Sequence, residues 1–284
     1  MKVFKATAVA PGKLLLLGDH AVVYNRPCLT AAVNRWVKVG VVGRKGKESV
    51  FVAGVRRLFE RLYGSVAEGF AVEGFDSYLG LGSSAATTVA VAKAMFKLKK
   101  IKVSQRELFD FCYQVVRQVQ ELGSGFDVAA SIYGGVIYFV TGGKKINRLK
   151  VDSLPLVVGY SGVKAETATM VKKAAAKVTE RFLHSSEQIV KQGKREMEDK
   201  NWPKLGKLMN QNQKLLRQLG VSTVKLDKMI EASLRAGAYG AKLSGAGGGD
   251  CMIALHPDGI QGKRLVEKAI ERVGGQVLKV KLAL

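Results

Sequence analysis

The apolar and polar positions along the chain follow two alternating periods. Residues 3–10 and 14–18 are apolar runs broken by Pro11-Gly12, and they read as two strands. Leu29, Ala31, Val33, Trp36, Val37, Val39 and Val41 alternate or run together over 29–42 and add further strands. The period then changes. Val55, Leu58, Phe59 and Leu62 fall at helical spacing over 53–64, and an alanine-rich stretch predicts a helix over 84–99. Ser104 with Glu107 has the form of a capping box, and Leu108, Phe109, Cys112, Val115, Val116 and Val119 carry a helix over 105–120. A helix ending near Tyr133 and a strand from Val136 to Val140 follow.

Thr141 to Asn147 is polar, rich in glycine and lysine, and without a core pattern, which places a domain boundary near 150 and divides the chain into 1–150 and 151–284. Beyond it, Leu156 to Tyr160 reads as a strand and 167–199 as one long lysine-rich helical stretch. Pro203 suits the first turn of a helix reaching 217, with Leu205, Leu208, Met209, Leu215 and Leu216 inward. A helix over 223–236 ends at Gly237, fit for a left-handed cap. A strand from Cys251 to Leu255, a helix over 259–273 and a terminal strand from Val277 to Leu282 complete a mixed α and β pattern without internal repeats.

A chain of 284 residues can bury one large core or two moderate ones. No apolar run reaches the roughly 18–20 residues needed to cross a bilayer, and the first residues carry no leader pattern, so no membrane partner is expected. Cys28, Cys112 and Cys251 lack metal-like spacing. They read as buried free thiols in a reducing, cytoplasmic setting. The 46 basic against 23 acidic residues give a net charge of +23. Such a field attracts anions. The lysines are dispersed and no aromatic-interleaved stripe accompanies them, so a solvated surface is the favoured reading and no specific nucleic acid is expected.

Three glycine-rich segments carry the chemistry: Ala10-Pro11-Gly12-Lys13-Leu14, Gly80-Leu81-Gly82-Ser83-Ser84-Ala85-Ala86 and Ser244-Gly245-Ala246-Gly247-Gly248-Gly249-Asp250. In the second, glycines remove side chains where backbone must approach a ligand, and a helix begins directly afterwards. Free N–H groups and the positive end of the helix dipole converge there, as phosphate binding requires. One such loop is commonly a turn; three, each abutting an apolar element, point to a nucleotide-using enzyme.

Residues 8–27, 80–86 and 240–249 resemble the three signatures of the GHMP kinases, which phosphorylate small alcohols and phosphorylated metabolites. The resemblance spans nearly the whole chain, apart from 43–75 and 141–155. His20-Ala21-Val22-Val23-Tyr24 and the stretch from Gly206 to Cys251 are most similar to the mevalonate kinases, whereas 123–128 and Gly249-Asp250-Cys251 look more like phosphomevalonate kinases. The resemblance implies an α+β fold with an N-terminal domain like ribosomal protein S5 and a C-terminal ferredoxin-like domain, the site lying between them. It implies ATP and Mg²⁺ as cofactors, a small-molecule substrate, and a monomer or homodimer. The expected reaction is ATP-dependent phosphorylation of mevalonate to 5-phosphomevalonate in isoprenoid biosynthesis. Phosphomevalonate as substrate is the alternative, and a non-catalytic basic binding module a remoter one.

Carried over residue by residue, Gly80, Leu81, Gly82, Ser83, Ser84 and Ala85 hold the ATP phosphates, with Ser84 matching a Mg²⁺-ligating serine. Mg²⁺ keeps several waters while bridging phosphates, so one protein hydroxyl suffices; the alternative for Ser84 is a helix cap. Lys13 and Asp127 match the catalytic pair, the aspartate taking the alcohol's proton and the lysine neutralising developing charge. The alternative for Asp127 is a cap of the helix that begins there. His20, Thr167, Ser244, Gly245, Ala246 and Gly247 match positions beside the substrate, as do Lys13 and Asp127. His184 and His256 match nothing and read as surface residues. Three departures stand out. Asp19 replaces a glutamate, Asp76 stands where a proline often precedes the loop, and Val116 occupies the position of a metal-completing glutamate, with Glu121 the nearest acid.

Overall fold

The computed structural model describes residues 4–43, 46–120 and 123–284. Its first sheet has five strands built around one long antiparallel ribbon, β1 (Thr7–Leu17) against β2 (Pro27–Val42). The two expected early strands are therefore one. Pro11-Gly12 does not end it but shifts its register, so that Pro11 faces Trp36 while Gly12 faces Val33. A bulge is where a strand tolerates a residue with no N–H to donate. The other edge of β2 is shared: β3 (Gly69–Glu73) pairs with its 38–42 portion and β4 (Val136–Val140) with its 27–31 portion. β5 (Lys145–Arg148) lies beyond β4, in the segment whose composition showed no pattern.

Helices α1 (Val50–Tyr63), α2 (Ser83–Leu98), α3 (Gln105–Gln120) and α4 (Phe126–Tyr133) share one apolar core with this sheet, built on Phe59, Met95, Phe96, Phe109 and Phe139. The capping box of α3 forms as its sequence dictates. The Ser104 N–H donates to the Glu107 carboxylate at 2.7 Å, and the Glu107 N–H to Ser104 Oγ at 3.2 Å.

The last strand of this sheet ends at Arg148 and the next sheet begins at Leu156. β6 (Leu156–Tyr160), β7 (Gly240–Ser244), β8 (Cys251–Leu255) and β9 (Gln276–Leu278) run antiparallel in the order β7-β8-β6-β9. That is the order of a ferredoxin-like sheet. Helices α8 (Val224–Arg235) and α9 (Gly259–Arg272) share one core with this sheet. A second core joins it to the first sheet and to α6 (Glu180–Glu198) and α7 (Trp202–Gln218), through Leu14, Leu29, Val136, Val158, Val190, Leu205 and Ile253. The single helical stretch expected over 167–199 is two helices, α5 (Thr167–Ala175) and α6. Thr179 has extended backbone and accepts from the Phe182 N–H at 3.2 Å, so it caps a new helix.

β7 lies at a sheet edge, where its outward N–H groups need acceptors. α7 supplies them: Asn210 Oδ1 accepts from Ala241 N and Gln213 Oε1 from Leu243 N, both at 3.0 Å. After β9 the chain bridges Leu282 to Val33, and Ala283 N donates to Ala32 O at 2.9 Å, beside the bulge in the ribbon. Among the described residues, no helix is long and apolar enough to cross a membrane.

Candidate active site

The bulge in β1 sets the position of Lys13. Gly12 must stay small because an added Cβ would lie 2.7 Å from Leu81 O. That close approach lets Lys13 N donate to Leu81 O at 2.8 Å, clamping the second glycine loop onto the first signature. Lys13 Nζ donates to Gly80 O at 3.1 Å and lies 5.5 Å from the Phe126 ring centroid. Gly82 packs on the lysine stem, where a Cβ would sit 2.9 Å from Lys13 Cγ, and its φ of +77° is one a glycine adopts without strain. Gly82 is the N-cap of α2, and no side chain caps that helix. Ser83, Ser84 and Ala85 thus open the helix with backbone N–H groups directed beyond its end. Ser84 is half-buried and does not act as the cap. Asp76, the departure ahead of the loop, is exposed and accepts from Tyr78 Oη at 2.9 Å.

Asp127 stands in the first turn of α4, whose N-cap is Gly125. It is therefore not the cap; its Oδ1 accepts from the next amide, Val128 N, at 2.9 Å. α4 is fixed to β1 beside the bulge, where Ser131 Oγ donates to Pro11 O at 2.8 Å. Lys13 and Asp127 are thereby held on two elements joined next to both of them. Burial pushes the Asp127 carboxyl above the ordinary aspartate value, while the Lys13 charge and the Val128 amide pull it partly back. A raised carboxyl is the better proton acceptor for an alcohol.

The third loop is fastened to the first signature. Ser244 Oγ donates to Leu15 O at 2.9 Å and accepts from Leu15 N at 3.1 Å. Gly245 N donates to Asp19 Oδ1 at 2.8 Å, and His20 Nε2 lies 3.0 Å from Ala246 O, the tautomer with its proton on Nε2 donating. Burial lowers the His20 pKa, with the Ala246 carbonyl and Asp19 opposing, so the ring is neutral near pH 7. Gly248 N is taken by Val221 O. Ala246 and Gly247 keep amides with no partner among the described residues. Thr167, at the start of α5, is exposed.

Two pairs escaped the reading of the sequence. Asp19 and Lys242 form a fully buried ion pair, Nζ to Oδ2 at 2.7 Å. A lysine among the small and apolar residues of Gly240–Ser244 is a signal of a buried partner, but the partner's place in the chain is not written beside it. Asp250 takes a positive φ of 55°, accepts from Ala165 N at 3.1 Å and meets Lys164 Nζ at 3.5 Å, packed against Gly80. Val116 is buried in the first core. Glu121 lies outside the described residues. Among the described residues no three His, Cys, Asp or Glu side chains cluster as a metal site.

The models of the GHMP kinases N-terminal domain and GHMP kinases C-terminal region match residues 51–135 and 194–275. The mevalonate kinase of Thermococcus gammatolerans is 33% identical over 303 residues, covering 89% of this chain and 90% of its own. In structure, the phosphomevalonate kinase of Streptococcus pneumoniae superposes with a TM-score of 0.88 at 22% identity, over 97% of this chain and 98% of that one. The L. major mevalonate kinase solved with R-mevalonate gives 0.84 at 21% identity, over 98% and 95%. At those identities the two structures speak for the fold and not for the substrate. It is the 33% identity over nearly the full length that places the branch, and the chain belongs to the GHMP kinases, in their mevalonate kinase family.

Proposed function

We propose that this kinase transfers the γ-phosphoryl group of ATP to the primary alcohol of mevalonate, giving 5-phosphomevalonate and ADP for isoprenoid synthesis. The observation that carries the reading is the convergence of Lys13 and Asp127 beside an uncapped helix N-terminus, in a chain of this family. The alcohol oxygen attacks the γ-phosphorus, its proton passes to a carboxylate oxygen of Asp127, and the bond to the bridging oxygen of ADP breaks. Lys13 faces the charge that develops on the transferring group. The amides of the 80–85 segment, Gly80, Leu81, Gly82, Ser83, Ser84 and Ala85, bind the ATP phosphates, and the bonds from Lys13 to Gly80 O and Leu81 O hold the loop against the first signature. His20, Thr167, Ala246 and Gly247 contact the substrate, while Ser244 and Gly245 contribute by holding their loop in place.

Mg²⁺ fits this donor set. Ser84 offers a hydroxyl not spent on capping, beside amides suited to phosphate, and a hard cation that keeps its waters needs little more from the protein. When bound it neutralises phosphate charge. The protein works as a monomer or homodimer in a reducing cytoplasm, a reading the three buried free thiols favour.

A second reading, phosphomevalonate as substrate, is favoured by one observation: Lys164 adds a half-exposed cation near the second glycine loop, held by Asp250. Coupled ADP-release assays with mevalonate, 5-phosphomevalonate, galactose and homoserine in parallel separate the readings. Turnover with mevalonate is expected; turnover with 5-phosphomevalonate alone would move the assignment to the second.

A further inference from the structure

Three residues of the first signature each hold one of three consecutive residues of the third glycine loop: Leu15 holds Ser244, Asp19 holds Gly245 and His20 holds Ala246. The middle fastener is unlike the others, because it rests on a charge. Asp19 and Lys242 are both fully buried, and Lys242 Nζ, besides its ion pair, donates to Leu243 O in the strand leading into the loop. Two buried charges are expensive to desolvate, and a pair of apolar side chains of similar volume fills such a space at equal or lower cost. What the apolar pair cannot supply is an acceptor for the Gly245 amide. A carboxylate supplies a short charge-assisted one, and a carboxylate anchored by Lys242 cannot turn away from it. The backbone leading to Asp19 and His20 is held in one uncommon shape, with φ of +91° at Gly18 and +61° at His20. A loop anchored at Gly245 keeps the next two amides, of Ala246 and Gly247, free for a ligand.

We propose that Asp19 and Lys242 are a positioning pair whose task is to hold the Gly245 amide, and through it the substrate-facing part of the third loop. The proposal rests on the reading of the site as that of a mevalonate kinase. It places neither residue in contact with substrate.

Two double variants separate this role from plain support of the fold. Asp19→Asn/Lys242→Met removes both charges and keeps an oxygen acceptor for Gly245. Asp19→Leu/Lys242→Met removes both charges and the acceptor. Both should unfold within about 5 °C of the parent, since neither leaves a charge buried and unpaired. The asparagine variant should recover kcat/KM for mevalonate to within about fivefold of the parent. The leucine variant should lose at least about tenfold, mostly in the KM for mevalonate, with the KM for ATP within about threefold. Equal activity in the two would overturn the proposal. Should the leucine variant not fold, amide exchange on the unmodified protein decides. Gly245 N–H is expected to be protected without ligand, and Ala246 and Gly247 only with substrate bound; free exchange at Gly245 in the unliganded protein would refute the pairing. If the parent does not turn over mevalonate, the functional reading fails by itself and the exchange experiment still judges the loop anchor.

Discussion

Asp127 combines two demands that pull against each other. In the proposed reaction its carboxylate must be ionised to accept a proton, yet its surroundings raise its pKa because they desolvate the charge. A carboxyl with a raised folded pKa binds its proton more tightly in the native state than in the unfolded chain. Its ionised form therefore opposes folding at pH values above that pKa. Asp127→Asn removes the charge and keeps the shape, so the melting temperature should hold or rise while kcat falls about 10²–10⁴-fold. ATP affinity should stay within about threefold, because the amides proposed to bind the phosphates belong to other residues. The pH profile of kcat/KM should show an acid limb above the ordinary aspartate value of about 4, since activity is lost as pH falls through the raised pKa. A variant that unfolds would make Asp127 chiefly structural, and a folded variant with near-parent kcat would shift the chemistry to Lys13. The thiols give a second expectation at this scale. All three are buried, Cys251 is pushed up to about 12 by burial and the neighbouring Asp250, and Cys28 and Cys112 are raised by burial. A disulfide reagent should titrate none of them until the protein unfolds.

Among the elements, α7 and β7 show how side-chain amides finish a sheet. Gln213 accepts from Leu243 N and donates to Ser222 Oγ and Asp227 Oδ1, so one buried amide serves both the strand edge and the turn before α8. Gln213→Leu strips both and leaves a buried N–H unpaired, at a cost of about 1–3 kcal/mol. In a chain of this size that corresponds to a fall of roughly 2–5 °C in melting temperature; an unchanged value would show that the edge is satisfied otherwise. Other elements mark the limit of legibility. β6 and α3 were plain in the sequence, because an apolar run of strand length and a capping box with helical period are local signals. β3 and β5 were not, being short edge strands with little to bury, and β5 reads Lys-Ile-Asn-Arg. The break between α5 and α6 was hidden because the lysine-rich pattern runs on across Thr179, whose capping bond is made only once the chain is folded. At the site, the glycine loops, Lys13 and Asp127 were legible as motifs. The Asp19–Lys242 pair and the Ser131 tie to Pro11 were not, since each joins segments that meet only in the tertiary structure.

For the whole molecule, the two sheets meet through one shared core, and the first and third signatures are joined across it. The net charge of +23 surrounds this arrangement with a field that draws ATP and other anions from solution. Raising the salt shortens the reach of that field, from about 30 Å at 0.01 M to about 10 Å at 0.1 M, so kcat/KM should fall with ionic strength while kcat stays level. A salt-independent kcat/KM would show that the charge is spread too evenly to steer a ligand. The transfer to mevalonate is read most directly by ³¹P NMR of the reaction with ATP, Mg²⁺ and mevalonate. The expected spectrum gains ADP and one phosphomonoester resonance in equal amounts, split by the neighbouring CH₂ of the former alcohol. No monoester from mevalonate, with a diphosphate formed from 5-phosphomevalonate instead, would contradict it.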